Sequence, residues 1–344
     1  MYGGKIRVLA LGGSPGEIGH AHGSALGSSI RQYLDDRLDL AGDPYWSGRT
    51  AELESIVGLA QETLGAHRRY SEPLYEEMAA MATSAGIDPA EAVVVGGFTD
   101  LIDVVRVAGG PSVEEDDCTG IIDADNGVLA QTWDMHASAG EFVYLFDIEP
   151  DTGPRAKVQT TAGCVGQMGI NEAGIAVGIN NLTSRGKVGV TWPFVVRKVL
   201  QQTTLDGAIE MVLSADLAGG HNFFIMGPDG TGCNIEAMPE SRKVTRVETG
   251  RFCHTNHCLD PETKNEEGAR NPIGAESSLV RLERANAYGP DLEAMFADAA
   301  INRGASSPHD VATCGAVVMR TGPRTIEAVW GQPGSHDWET FAFA

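Results

Sequence analysis

Apolar positions follow helical spacing over the first third of the chain and strand-like alternation from Cys118 onward. Residues 5–11 read as a short strand. Ser14-Pro15-Gly16-Glu17 then supplies an N-cap, a proline at the first helical position and a capping-box glutamate, predicting a helix from Pro15 to about Leu40. Gly19, Gly23 and Gly27 interrupt that helix with small residues that suit close packing. Residues 50–70 and 72–85 predict two more amphipathic helices, and Asp88-Pro89-Ala90-Glu91 repeats the capping pattern for a fourth. Ala108-Gly109-Gly110-Pro111-Ser112 breaks regular structure and marks a boundary.

Beyond it, two alternating runs flank Asp123-Ala124-Asp125-Asn126-Gly127, and Asn-Gly between such runs is a strong hairpin signal. Strands are expected at 142–148, 156–161, 165–170 and 175–179, then at 222–226, 232–237 and 243–248, with a closing hairpin at 313–320 and 325–330. Helices fit 193–202, 205–214, 276–287 and 291–300. Antiparallel strands with two blocks of helices predict stacked sheets with helices outside.

The 344 residues suffice for one large domain or two ordinary ones, and 42% hydrophobic content describes a chain with a sizeable core. A formal charge of −22, from 47 acidic and 25 basic residues, disfavours nucleic acid and anionic membrane surfaces as partners. No apolar stretch approaches the roughly 20 residues of a membrane span, and the N-terminal residues lack a signal-peptide core. Six cysteines over this length do not make a disulfide framework. The expectation is a cytoplasmic protein with free thiols.

The candidate chemistry centres on Cys118, which follows the acidic run Glu114-Glu115-Asp116-Asp117. Cys118 opens the first strand of the hairpin and Asp134 closes the second, so a thiol and a carboxylate come side by side. If the Asp117–Cys118 bond were cut, Cys118 would also carry an α-amine, a base with a pKa of about 7.7–8.0. Nucleophile and base would then belong to one residue. The plain alternative for a lone cysteine is a small buried hydrophobe. Cys253-His254-Thr255-Asn256-His257-Cys258 offers a second constellation, with two imidazoles and two thiols. On a strand these would alternate faces and split the ligands, unlike zinc motifs built from two separated pairs. His20 and His22 read as helix-packing histidines, and Cys164, Cys233 and Cys314 as core.

Five segments in order carry a resemblance to the isopenicillin N acyltransferase family of N-terminal nucleophile hydrolases. They are residues 13–23, Asp117-Cys118-Thr119, Gln131-Thr132-Trp133-Asp134, residues 166–174 (resembling a G-x-x-G-x-N-x-x-G hairpin) and His254-Thr255-Asn256-His257-Cys258. The resemblance implies a four-layer αββα fold of the α+β class. It also implies a precursor that cleaves itself between Asp117 and Cys118 into chains 1–117 and 118–344, which stay associated as one composite domain. It makes Cys118 the nucleophile of both self-cleavage and turnover, Asp134 the partner of the liberated α-amine, and Asn256 the oxyanion donor. Asn222, Thr119, Ser307 and Asp310 are the implied substrate contacts; no cofactor or metal is implied.

Two departures stand out. The prototype carries glycine before its nucleophile, where this chain has Asp117, and an arginine near its C-terminus, where this chain has Ser307-Pro308-His309-Asp310. Without that arginine, and with Arg155, Lys157, Arg185 and Lys187 read as scattered surface cations, the expectation is hydrolysis of a small neutral or cationic amide. Acyl-CoA-dependent N-acyl transfer is the alternative within the family. From other classes stand a zinc protein using Cys253, His254, His257 and Cys258, and an uncleaved scaffold. A homo-oligomer of the cleaved heterodimer is a further expectation.

Overall fold

A computed structural model describes residues 3–106 and 117–343. The first strand, β1 (Val8–Gly13), runs into α1 (Pro15–Gly42), whose start is fixed by the expected capping box. The Glu17 carboxylate accepts the Ser14 N–H at 2.8 Å while the Ser14 hydroxyl accepts the Glu17 N–H. After a single turn, α2 (Pro44–Ser47), come α3 (Leu53–Tyr70), α4 (Glu72–Ala85), α5 (Pro89–Gly96) and α6 (Phe98–Arg106). The small residues of α1 do what their spacing suggests. A Cβ at Gly19 would lie 2.0 Å from the Glu77 carbonyl oxygen, and one at Gly23 2.2 Å from that of Met81, so α1 and α4 touch backbone to backbone. The boundary expected at residues 108–112 lies outside the described residues.

The hairpin is formed by β2 (Gly120–Asp123) and β3 (Val128–His136), with Gly120 opposite Gln131 and Asp123 opposite Val128. Gly127 has φ +63°, which its turn demands. A 3₁₀ turn, Ala137–Phe142, leads to β4 (Val143–Pro150), β5 (Ala156–Thr161), β6 (Met168–Asn171) and β7 (Ala176–Leu182). Two helices, α7 (Trp192–Val199) and α8 (Leu205–Leu213), precede β8 (Gly220–Met226), β9 (Gly232–Ala237), β10 (Arg242–Val247) and β11 (Arg251–His254). Then follow α9 (Pro261–Lys264), α10 (Pro272–Ala287), α11 (Leu292–Phe296), β12 (Val311–Arg320), β13 (Thr325–Trp330) and β14 (Glu339–Ala342).

Eight strands form one sheet in the order β1-β4-β5-β6-β7-β8-β9-β10, and six form the other, β11-β2-β3-β12-β13-β14. Among the described residues β1 and β4 pair in parallel and the remaining pairs are antiparallel. Alternation along the hairpin sorts the layers. Ile121, Val128 and Ala130 pack outward with Ala285 of α10 and Met295 and Phe296 of α11. Ile122 and Leu129 turn inward to the main core with Phe223 and Ile225 of the larger sheet. Gln131 spans the gap: its Oε1 accepts the Ile179 N–H at 2.6 Å and its Nε2 donates to the Ile179 carbonyl at 3.1 Å. On the far face of the larger sheet, α1 packs on β1 and β4, α7 on β7 and α8 on β8. The four-layer αββα arrangement is therefore the one expected.

Several elements differ from expectation. β14, α2 and α9 were not anticipated, and α11 is one short helix rather than the span 291–300. The run 253–258 is a strand only to His254, so alternation does not extend to Cys258. α10 begins at Pro272 instead of 276, because the Asn271 side chain caps it by accepting the Ile273 N–H at 2.8 Å. β6 starts at Met168, which leaves Cys164 in the loop that follows β5.

Candidate active site

Strand pairing at the open end of the hairpin sets the geometry. The ladder runs on past β2, with the Thr132 N–H donating to the Thr119 carbonyl at 2.9 Å and the Thr119 N–H to the Thr132 hydroxyl at 3.1 Å. This puts Cys118 beside the end of β3, its thiol 3.9 Å from the Asp134 carbonyl oxygen. Alternation directs Cys118 into the core between the sheets, while Asp117 and Thr119 reach the α10 side. β3 itself continues two residues beyond Asp134, to His136.

Arg281, on α10, is fully buried and organises the α10 side. A guanidinium has five N–H donors and no acceptor. Here Nη1 donates to the Cys118 carbonyl at 2.6 Å and the Thr119 hydroxyl at 3.0 Å. Nη2 donates to Asp117 Oδ1 at 2.8 Å and Asn256 Oδ1 at 3.0 Å, and Nε to the Ser277 hydroxyl at 3.2 Å. Arg303 binds the other Asp117 oxygen and, at 3.0 Å, the same serine hydroxyl, which donates to Asp117 Oδ2 at 2.9 Å.

The contact with Arg281 also fixes the Asn256 amide, since only its carbonyl oxygen can face a guanidinium. Its Nδ2 turns away and donates to the Asn181 carbonyl at 3.1 Å, leaving one N–H with no acceptor among the described residues. The backbone here is held by the Ser278 hydroxyl, which accepts the Asn256 N–H at 2.9 Å, and by Asn180. The Asn180 amide donates to the His254 and Thr255 carbonyls at 3.0 and 3.1 Å. Asp134 is fully buried, and neither carboxylate oxygen receives a well-formed hydrogen bond among the described residues. Burial pushes its pKa up to about 7; Arg281 and the cross-strand Thr313 oppose the shift, and Asp117 adds to it.

Residues 122–310 match the family described as acyl-coenzyme A:6-aminopenicillanic acid acyl-transferase. The chain is 30% identical over 257 residues to the 40 kDa form of the acyl-coenzyme A:6-aminopenicillanic-acid-acyltransferase of Emericella nidulans, covering 72% of this chain and 68% of that protein. The chain belongs to this acyltransferase family. Solved structures that it resembles include a mutant conjugated bile acid hydrolase from Clostridium perfringens, with 9% identity and a TM-score of 0.41 over 67% of this chain and 97% of that one. Another is the penicillin V acylase of Agrobacterium tumefaciens, with 9% identity and a TM-score of 0.36 over 66% and 86%.

The remaining site candidates of this acyltransferase-family chain fall elsewhere. Asn222 lies on β8 opposite Asn180 and donates to Asn234 Oδ1 at 2.8 Å; its own Oδ1 is buried without a partner among the described residues. Thr119 serves the ladder and Arg281. Ser307 lines a cavity of about 820 Å³ together with Gln32, Asp36, Ser138 and Glu141. Asp310 is occupied by α2 and its own loop: its carboxylate accepts the Tyr45 hydroxyl at 2.8 Å and the Ser306 and Ser307 N–H groups at 3.1 and 2.8 Å.

The four side chains of the zinc reading diverge. Cys253 packs in the outer core and Cys258 against Met238, while His254 bonds Glu236 and His257 bonds Ser278. Of the cations read as scattered on the surface, Arg155 pairs with Glu172 and Lys187 with Asp216 and Glu240, whereas Lys157 is buried in β5 and pairs with Asp147. Sequence reasoning missed Arg281, Arg303 and Asn180. The one available signal was Ser277, Ser278, Arg281 and Ala285 sharing one helix face at i, i+3 and i, i+4 spacing.

Proposed function

We propose that this chain is a self-processing amidohydrolase or acyltransferase that works through an acyl-enzyme on Cys118. The observation that carries the proposal is the juxtaposition of the Cys118 thiol, the Asp134 strand end and an Asn256 amide turned by Arg281. In the first reaction the Cys118 thiol attacks the Asp117 carbonyl, and the amide nitrogen of Cys118 takes a proton and leaves. The thioester is then hydrolysed, giving chains 1–117 and 118–344. Asp134, with a pKa near 7, is suited to carry that proton at neutral pH.

In turnover the new α-amine takes the thiol proton and the thiolate attacks a small amide. The spare Asn256 N–H donates to the oxyanion, and the protonated α-amine delivers its proton to the departing amine. Water then resolves the thioester and regenerates the thiol. Resolution by an amine instead of water is acyl transfer, a reading favoured by the family to which the chain belongs. Both readings share Cys118, Asp134 and Asn256.

Intact-mass measurement with N-terminal sequencing tests the proposal. Purified protein should appear as two chains meeting at Asp117–Cys118, and Cys118→Ala as one chain. Cleavage at that bond in the alanine variant would remove the mechanism. Side-by-side assays of amide hydrolysis and CoA-thioester-dependent acylation then separate the two readings.

A further inference from the structure

We propose that Arg281, Arg303 and Ser277 form a carboxylate subsite, which Asp117 fills in the uncut chain and the acyl group of the substrate fills after cleavage. This deepens the function proposed above and rests on it. The site is built rather than superficial: Arg281 is fully buried, and Arg303 and the Ser277 hydroxyl converge on one Asp117 oxygen while Arg281 holds the other. Two arginines and a hydroxyl around one carboxylate make a charge-assisted set with defined geometry.

The occupant identifies the ligand class. Asp117 is the acyl half of the scissile bond, so its carbonyl carbon, Cα, Cβ and Cγ form a four-carbon unit ending in a carboxylate. The thioester formed during processing is an aspartyl thioester on Cys118 with its side chain in this clamp. An acyl-enzyme of the same shape arises in turnover from an amide whose acyl group carries a carboxylate at C4, that is, a succinyl or α-aspartyl amide. Cys118 forms the thioester as the amine leaves with the thiol's proton, and water then releases the dicarboxylate and restores the thiol.

Departure of Asp117 also leaves two arginines facing Asp134, which takes none of their hydrogen bonds among the described residues. A buried guanidinium without its anion is costly, so the emptied clamp selects for a carboxylate. The surface charge of −22 does not decide this point, because it is screened beyond about 8–10 Å. The neutral or cationic substrate expected from the missing C-terminal arginine overlooks Arg303, which lies four residues before Ser307 and reaches Asp117 through space.

The test compares 4-nitroanilides on enzyme whose cleavage has been verified by mass: succinyl, the methyl ester of succinyl, butyryl and glutaryl. Succinyl-4-nitroanilide should exceed its methyl ester and butyryl-4-nitroanilide in kcat/KM by roughly tenfold to a hundredfold, the usual worth of charge-assisted hydrogen bonds. Arg303→Met should lower that ratio toward one, because the carboxylate loses one of its two arginines. If wild-type enzyme turns over the neutral anilides as well as succinyl, the subsite is overturned and the amidohydrolase reading survives. If the chain is uncut and every anilide is inert, the proposed function itself fails and takes the subsite with it. Should Arg303→Met fail to mature, the wild-type substrate series alone still decides.

Discussion

Two buried ion clusters in this protein look alike and behave differently. Glu77 on α4 meets Arg197 on α7 at 2.7 Å, one carboxylate against one guanidinium, both nearly inaccessible. At the head of β2 two carboxylates, Asp117 and Asp134, meet two arginines, yet Asp117 receives the hydrogen bonds from both. The first cluster is balanced whatever happens to the chain. The second is balanced only while Asp117 remains attached to Cys118. A matched pair holds layers together, whereas a shared and unequal set would be rearranged by the proposed cleavage.

The largest expected effect breaks the matched pair. Arg197→Met leaves the Glu77 carboxylate buried alone, and unfolding by urea should show a loss of about 3–5 kcal/mol. Adding Glu77→Leu should recover most of that loss. If the single variant unfolds like wild type, the pair is not what ties α4 to α7.

Next comes the unequal cluster. Asn256→Ala should lower kcat by roughly 10²–10³ with little change in KM, as for the removal of one oxyanion donor. A defect confined to KM would assign Asn256 to substrate binding.

A smaller effect is read through pH. In the uncut chain, which the Cys118→Ala variant is expected to preserve, Asp134 has its pKa raised from the usual 3.8 to about 7 by burial. Between those values the folded protein keeps a proton that the unfolded chain has released, so stability falls as pH rises from about 4 to about 7 and levels off above. Asp134→Asn in that background removes this contribution. The variant should therefore gain on its parent between pH 5 and pH 8 in urea titrations. An equal difference at both pH values would mean that Asp134 is not protonated in the uncut fold.

The smallest effect sharpens the role of Arg281. Thr119→Val removes one of its five acceptors at constant shape, costing about 1 kcal/mol and leaving processing intact. Arrest of processing in this variant would promote Thr119 from a ladder residue to a catalytic one.

Local signals made much of the fold legible. α4 (Glu72–Ala85), β5, β9 and β13 lie where their caps, turns and alternation put them, because those cues act within a few residues. Hairpin register is itself local information, and it put Cys118 beside the end of β3, where the thiol lies 3.9 Å from the main-chain carbonyl of Asp134 rather than against its carboxylate. Arg281 and Arg303 were invisible for the opposite reason. Each meets Asp117 across more than 160 residues of chain. β14 escaped because its four residues alternate only between partial burial and exposure, so none of them marks a core face. The segment after His254 reads as a strand by composition, yet the chain leaves the ladder there, with the His254 and Thr255 carbonyls bound by the Asn180 side chain.

The parallel pairing of β1 with β4 has a kinetic consequence. Six residue pairs, Val8 with Leu145 through Gly13 with Pro150, join an edge strand from before Cys118 to one from after it. In the uncut chain this contact closes as an intramolecular loop, at an entropic cost that grows only slowly with length. Once the chain is cut, the same contact is an encounter between two molecules. Denatured mature protein should then regain its structure at a rate that rises with concentration, while the denatured Cys118→Ala chain refolds at a rate independent of it. If the proposed cleavage occurs, enzyme that has lost its partner chain has no unimolecular way back, and its lifetime is set by how slowly that edge strand comes away.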